Sequence, residues 1–170
     1  MRDYEAAYRD FSLASVDRQV LQGRLADGVN ACVACCDRWA GDGRVALDWV
    51  ARDFSRVSVT FGELQRGSAR FANLLRARGV GRGDVVAALL PRIPELLTVI
   101  LGAWRAGAIY QPLFTAFGPA AIESRVTAPG GSQARLIVTD LANRAKLDGC
   151  LLYTSPSPRD STSSRMPSSA

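Results

Sequence analysis

Few residues in this chain have the types and spacing to do chemistry. Cys32, Cys35 and Cys36 stand at i, i+3 and i+4, a spacing at which thiolates can share a metal. A structural zinc site needs four ligands, and the chain has no histidine and no second well-spaced cysteine pair. Free cysteine packs as a small hydrophobe, so these thiols read as core, with no metal site assigned. The absence of histidine also excludes Ser-His-Asp chemistry and histidine acid–base catalysis within this chain. Gly79-x-Gly81-x-Gly83 has the glycines of a phosphate loop, and Arg82-Gly83-Asp84 spells an adhesion tripeptide. These glycines follow a helical pattern and precede a strand, whereas phosphate loops follow a strand and open a helix. They read as a plain turn.

The elements around these residues are legible from periodicity and punctuation. Thr60-x-x-Glu63 is a capping box, so a helix starts at about Phe61. Leu64, Phe71, Leu74 and Leu75 share its apolar face, Arg66, Arg70 and Arg76 its polar one, and Gly79 stops it. Val85 to Leu90 is apolar without alternation, which suits a strand covered on both faces. Pro94 and Glu95 open a second helix with Leu96, Leu97, Ile100, Leu101 and Trp104 as its buried stripe and Gly107 as its end. Ile109 to Pro112 is the next strand, which completes a βαβ unit.

The flanks are read the same way. Met1 to Gly28 carries scattered Tyr4, Tyr8, Phe11, Val20 and Leu21 and is expected to be a loose arm against the body. Asn30 caps a helix through about Trp39, and Val45–Val50 pairs with Val57–Thr60 around the Arg52–Ser55 turn. Gly118-Pro119 starts another helix with Ile122 and Val126 inward, which Pro129-Gly130-Gly131 breaks. Leu136–Thr139 is a further buried strand, and Asp140 is placed to cap the segment after it. The alternation argues for an α/β fold with a mainly parallel sheet flanked by helices.

Composition bounds the function. A chain of 170 residues can bury one real core. No run of about twenty apolar residues is present to span a bilayer, and no secretory signal pattern opens the chain. The expectation is a soluble cytoplasmic protein without a membrane partner. The formal charge of +5 comes from 21 basic residues, of which only Lys146 is a lysine. Arg66, Arg70 and Arg76 lack interleaved aromatics and read as a solvated face, so no nucleic-acid partner is expected.

Several blocks in register carry a resemblance. Val59-Thr60-Phe61-Gly62-Glu63-Leu64, Arg78-Gly79-Val80-Gly81-Arg82-Gly83-Asp84-Val85-Val86, Leu90-Pro91-Arg92-Ile93-Pro94-Glu95 and Gly102 through Phe114 resemble the first part of the adenylate-forming acyl-CoA synthetases. Asn30-Ala31-Cys32, Cys36-Asp37-Arg38-Trp39 and Phe114 through Pro119 are similar to the acetyl-CoA synthetase branch. The resemblance implies a parent enzyme that activates a small carboxylic acid with ATP and Mg2+ to an acyl-adenylate and passes the acyl group to coenzyme A. It covers about Asn30 to Gly149 and none of the lysine-bearing glycine loop, ribose carboxylate or mobile-domain lysine that such chemistry needs. The fragment is therefore expected to be inactive, with no catalytic residue assigned and no cofactor bound well. In the acetyl-CoA synthetases a basic segment after the corresponding strand meets the coenzyme A nucleotide. That implies Arg144 and Lys146 as cofactor-binding candidates, against the alternative of a solvated helix face.

From Cys150 the composition changes. Cys150 through Asp160 and Ser164 through Ala170 resemble the translation of a transposase-type sequencing adapter, with Ser161-Thr162-Ser163 as a barcode-sized gap. The expected organisation is an arm at 1–29, a truncated synthetase body at 30–149 and a non-native disordered tail at 150–170. Two alternatives stay open: a medium-chain or aryl acid ligase fragment, and a self-contained flavodoxin-like binding or regulatory module.

Overall fold

The computed structural model of the chain describes residues 3–19 and 25–148. Val20 and Leu21 of the arm and the tail from Cys150 lie outside them. Helices α1 (Tyr4–Arg9) and α2 (Leu13–Gln19) form the arm. Next come α3 (Ala31–Cys35), hairpin β1 (Val45–Val50) and β2 (Arg56–Thr60), and α4 (Phe61–Ala77). The remaining elements are β3 (Val85–Leu89), α5 (Pro94–Arg105), β4 (Ile109–Pro112), α6 (Pro119–Val126) and β5 (Leu136–Thr139).

The body is built on a parallel sheet of order β4-β3-β5. Its central strand is covered on both sides, as the unalternating apolar run predicts: Val86, Ala87 and Leu89 are fully buried. Val86 packs with Leu75, Val80, Ala103 and Ala108 under α4 and α5, while Ala87 and Leu89 pack with Leu113, Ile122, Val126 and Leu147 under α6 and the last turn. The result is a helix–sheet–helix layering around β3.

The two helices that feed the sheet stop by the same device. At the end of α4, Gly79 takes φ +71, its N–H donates to Arg76 O and the Val80 N–H donates to Leu75 O. At the end of α5, Gly107 takes φ +77, with Gly107 N–H to Trp104 O and Ala108 N–H to Ala103 O. Both are Schellman ends, each with its apolar pair, Leu75–Val80 and Ala103–Ala108, packed in one cluster. The capping box at Thr60 and Glu63 is formed, with Glu63 N–H to Thr60 Oγ1 at 3.2 Å and Thr60 N–H to Glu63 Oε2 at 2.8 Å.

Several expectations are corrected. The Asn30-capped helix ends at Cys35, because Cys36 leaves helical geometry at φ −122, ψ −60 and gives way to a 3-10 turn over Asp37–Trp39. Leu74 and Trp104, expected on buried faces, are 38% and 37% exposed. The cause is a close crossing of α4 on α5: a Cβ at Gly102 would stand 2.6 Å from Phe71 Cδ1 and 3.0 Å from Ser68 O. That approach buries Ser68 and Ala72 on α4 and Val99, Gly102 and Ala103 on α5 and turns Leu74 and Trp104 aside, while Leu64, Leu75 and Leu101 are buried as expected. β5 is half-buried throughout because it is an edge strand. In the arm, Tyr4, Tyr8 and Phe11 face solvent, with Tyr4 and Tyr8 stacked on each other at 6.3 Å. β4 ends on Pro112, at the opposite edge from β5.

Candidate functional site

In open α/β sheets ligands lie outside the carboxyl ends of the strands, and the chain's candidate residues converge at that edge. Thr139 Oγ1 donates to Leu89 O at 3.1 Å, tying the ends of β5 and β3 together. Asp140 then caps, as expected, although the element it caps is a turn: its Oδ1 accepts from Asn143 N at 2.9 Å and Asn143 Nδ2 at 2.7 Å. A 3-10 turn over Arg144–Leu147 comes next and seats Leu147 in the core beside Leu89 and Leu113.

Arg144 and Lys146 share this turn but not one environment. Arg144 is exposed, while Lys146 is half-buried, with its Nζ donating to Thr115 O and to Asn143 Oδ1 at 2.9 Å. Thr115 lies in the loop that leaves β4, where Phe114 and Phe117 meet edge to face at 5.8 Å and Arg125 stands over the Phe117 ring at 4.4 Å. Phe114 and Leu141 are exposed beside the edge. These groups can hold an anion or an apolar moiety; they supply no nucleophile with an adjacent base.

The glycine-rich segment occupies the opposite end. Gly83 N–H donates to Gly107 O at 3.1 Å and Gly81 N–H to Asp84 Oδ2 at 2.8 Å, so these donors are spent inside the turn. Arg135 adds an ion pair to Asp84 at 3.5 Å. The segment is a turn into β3, as its position between helix and strand predicts.

The cysteines divide. Cys32 and Cys36 are buried beside Leu64 and Leu101, as the core reading expects, whereas Cys35 is exposed. Burial pushes the Cys32 and Cys35 thiols above their ordinary value of 9.0, and burial with neighbouring Cys32 and Asp37 takes Cys36 up to about 11. None is a thiolate at neutral pH, and thiolates are the nucleophiles and metal ligands. Among the described residues no group of three or more His, Cys, Asp or Glu side chains is placed to hold a metal ion. Beside Cys36, a cavity of about 260 Å³ opens between Phe61, Leu64, Leu97, Ile100 and Trp104.

Sequence reasoning missed one polar network. Arg105 donates to Asp37 from both terminal nitrogens, with Nη1 to Oδ2 at 2.8 Å, and to Ser68 Oγ from Nε at 3.2 Å. The Arg105 and Asp37 side chains are each 17% exposed. Asn30 Nδ2 also donates to Trp104 O at 3.1 Å. Asp37 and Arg105 lie in the blocks that carry the resemblance, but 68 positions apart, so no local spacing could have paired them.

Comparison with known proteins adds the lineage. The AMP-binding enzyme family matches residues 37–165. The chain is 37% identical over 115 residues to an acetyl-coenzyme A synthetase of Sodalis glossinidius, a match covering 65% of this chain and 17% of that protein. An acetyl-coenzyme A synthetase of Shewanella sediminis is 36% identical over 114 residues, with the same coverage. The crystal structure of a Brucella canis acyl-CoA synthetase superposes with a TM-score of 0.81 at 52% identity, covering 86% of this chain and 26% of that one. The chain thus spans about a sixth of the curated relatives it matches. With its layered parallel sheet and this shared sequence, it belongs to the AMP-binding enzyme family, within the acyl-CoA synthetases.

Proposed function

We propose that this chain is the opening part of an ATP-dependent acyl-CoA ligase that joins a small carboxylic acid, acetate, to coenzyme A through an acyl-adenylate. The superposition on an acyl-CoA synthetase at 52% identity carries the acyl-CoA ligase part of this reading, and identity with acetyl-coenzyme A synthetases supports acetate as the acid. In this reading ATP, Mg2+ and coenzyme A serve the parent enzyme. The described residues do not fit ATP or Mg2+: the Gly81 and Gly83 donors are consumed in their turn, and no carboxylate cluster is present among them. In this reading the fragment is inactive alone. Exposed Arg144 fits an anionic nucleotide, and Lys146 could join it only by leaving Thr115 O.

The reading includes the organisation into an arm (1–29), a body (30–149) and a non-native tail (150–170), a cytoplasmic location and no nucleic-acid or membrane partner. The tail assignment rests on the residue-by-residue resemblance of Cys150 through Asp160 and Ser164 through Ala170 to the translation of an adapter, although the family match runs to residue 165. Sequencing the gene afresh across the Gly149 codon tests both points. A downstream Ser/Thr/Gly-rich loop with a lysine supports the ligase, and an in-frame stop would overturn the reading of this chain as part of a longer enzyme. Purified chain supplied with ATP, Mg2+ and acetate should release no pyrophosphate, and release would overturn the claim of inactivity.

A second reading, a medium-chain or aryl acid ligase, is favoured by one observation. Identity is 52% to a structure named as an acyl-CoA synthetase, but 37% to a relative named as an acetyl-coenzyme A synthetase. The acid preference of the recovered full-length enzyme decides between them.

A further inference from the structure

We propose that Lys146, the sole lysine of the chain, is a positioning residue: a strut between the loops that leave β4 and β5 across the carboxyl end of the sheet. Its Nζ donates to Thr115 O on one side and Asn143 Oδ1 on the other. Asn143 is 8% exposed and donates from N and Nδ2 to Asp140 Oδ1, directly after the last residue of β5. Since β3 lies between β4 and β5, the series Asp140–Asn143–Lys146–Thr115 passes over the end of the central strand.

Two features make this a strut rather than a ligand arm. The neighbouring Leu147 is 2% exposed and locked in the core, so the lysine stem rises from a fixed base. Two of the three ammonium donors are engaged, and hydrogen bonds to a charged group are the stronger kind. Removing them would leave the Thr115 carbonyl and the Asn143 amide oxygen without this donor. The strut therefore fixes the gap between residues 114–117 and 140–147, and with it the width of the crevice where an α/β sheet takes its ligand. This inference rests on the proposed function only for the nature of that ligand.

Having one lysine makes the test direct. Reductive methylation of the 170-residue chain with 13C-formaldehyde labels only Lys146 and the amino terminus. The expectation is that Lys146 reacts about tenfold more slowly in the folded chain than in the same chain unfolded in urea. Equal rates would overturn the strut. Lys146→Met keeps most of the stem and should speed amide exchange at Phe117 and Asn143 about tenfold, while Lys146→Arg restores protection. Unchanged exchange in Lys146→Met, or failure of arginine to rescue it, also overturns the proposal. Coenzyme A is the ligand probe: it should shift amides at 114–117 and 140–147 and bind about tenfold more weakly to Lys146→Met. If coenzyme A moves no amide in the wild-type chain, the assignment of this edge to coenzyme A fails, and the methylation rates alone decide the strut.

Discussion

The two ends of the parallel sheet are closed by different means. At the amino end, where α4 and α5 hand over to β3 and β4, closure is mainly by backbone, with Asp84 as the one side chain that accepts within the turn: two Schellman ends at Gly79 and Gly107 and the Gly83 N–H to Gly107 O bond between the loops. At the carboxyl end, closure is by side chains: Thr139 on Leu89 O, Asp140 on Asn143, Lys146 on Thr115 O, and Leu147 plugged beneath them. Backbone closure needs only a residue that tolerates positive φ. Side-chain closure needs particular chemistry at each position, and it leaves surface groups that can be turned to a ligand.

Substitutions can break or sharpen this contrast, and urea unfolding of the chain measures each. Leu147→Ala should have the largest effect, about 3 to 4 kcal/mol, because it empties a buried site under the carboxyl end. Asp37→Asn should cost about 2 to 3 kcal/mol, leaving Arg105 without its counter-charge; residual exposure keeps this below the value for a dry pair. Gly107→Val should cost about 2 kcal/mol through its φ of +77. If Gly107→Val exceeded Leu147→Ala, the contrast would invert, with the backbone turns as the greater source of stability.

A further effect is a pH dependence. Cys36 holds its proton more tightly when folded, its pKa being raised from 9.0 to about 11 chiefly by burial. The folded state therefore binds more protons than the unfolded one between those values. Its contribution is complete below pH 9.0 and falls away as pH rises towards about 11. Thiolate absorbance should rise at higher pH in the folded chain than in the same chain unfolded in urea, and equal titration of the two would displace Cys36 from the core.

Local devices were legible in the sequence. The Thr60–Glu63 capping box, Pro94 at the start of α5, the stops at Gly79 and Gly107 and the unalternating run of β3 each depend on residues within a few positions. The amphipathic reading of α5 was right for Leu101 and missed at Trp104 for a physical reason. Periodicity finds the large apolar stripe, and Leu101 is buried as it predicts, but Gly102 admits α4 so closely that Val99, Gly102 and Ala103 join the buried face and Trp104 stands on a cavity rim. The candidate site was legible in part. Arg144 and Lys146 were singled out together, yet only the fold separates an exposed guanidinium from an ammonium engaged 31 positions away. The Asp37–Ser68–Arg105 network joins segments that no window of sequence contains.

Pro112 has one more consequence. Ile109 and Leu113 donate their N–H groups towards β3, so Pro112, which is out of phase with them, turns its nitrogen to the outer rim of β4 and has no hydrogen to offer there. A newcomer strand laid along that rim would find a missing rung, whereas the far rim of β5, Leu136 to Thr139, has no proline. Among the described residues, the rim of β5 is thus the one that offers a further strand an unbroken row of backbone donors.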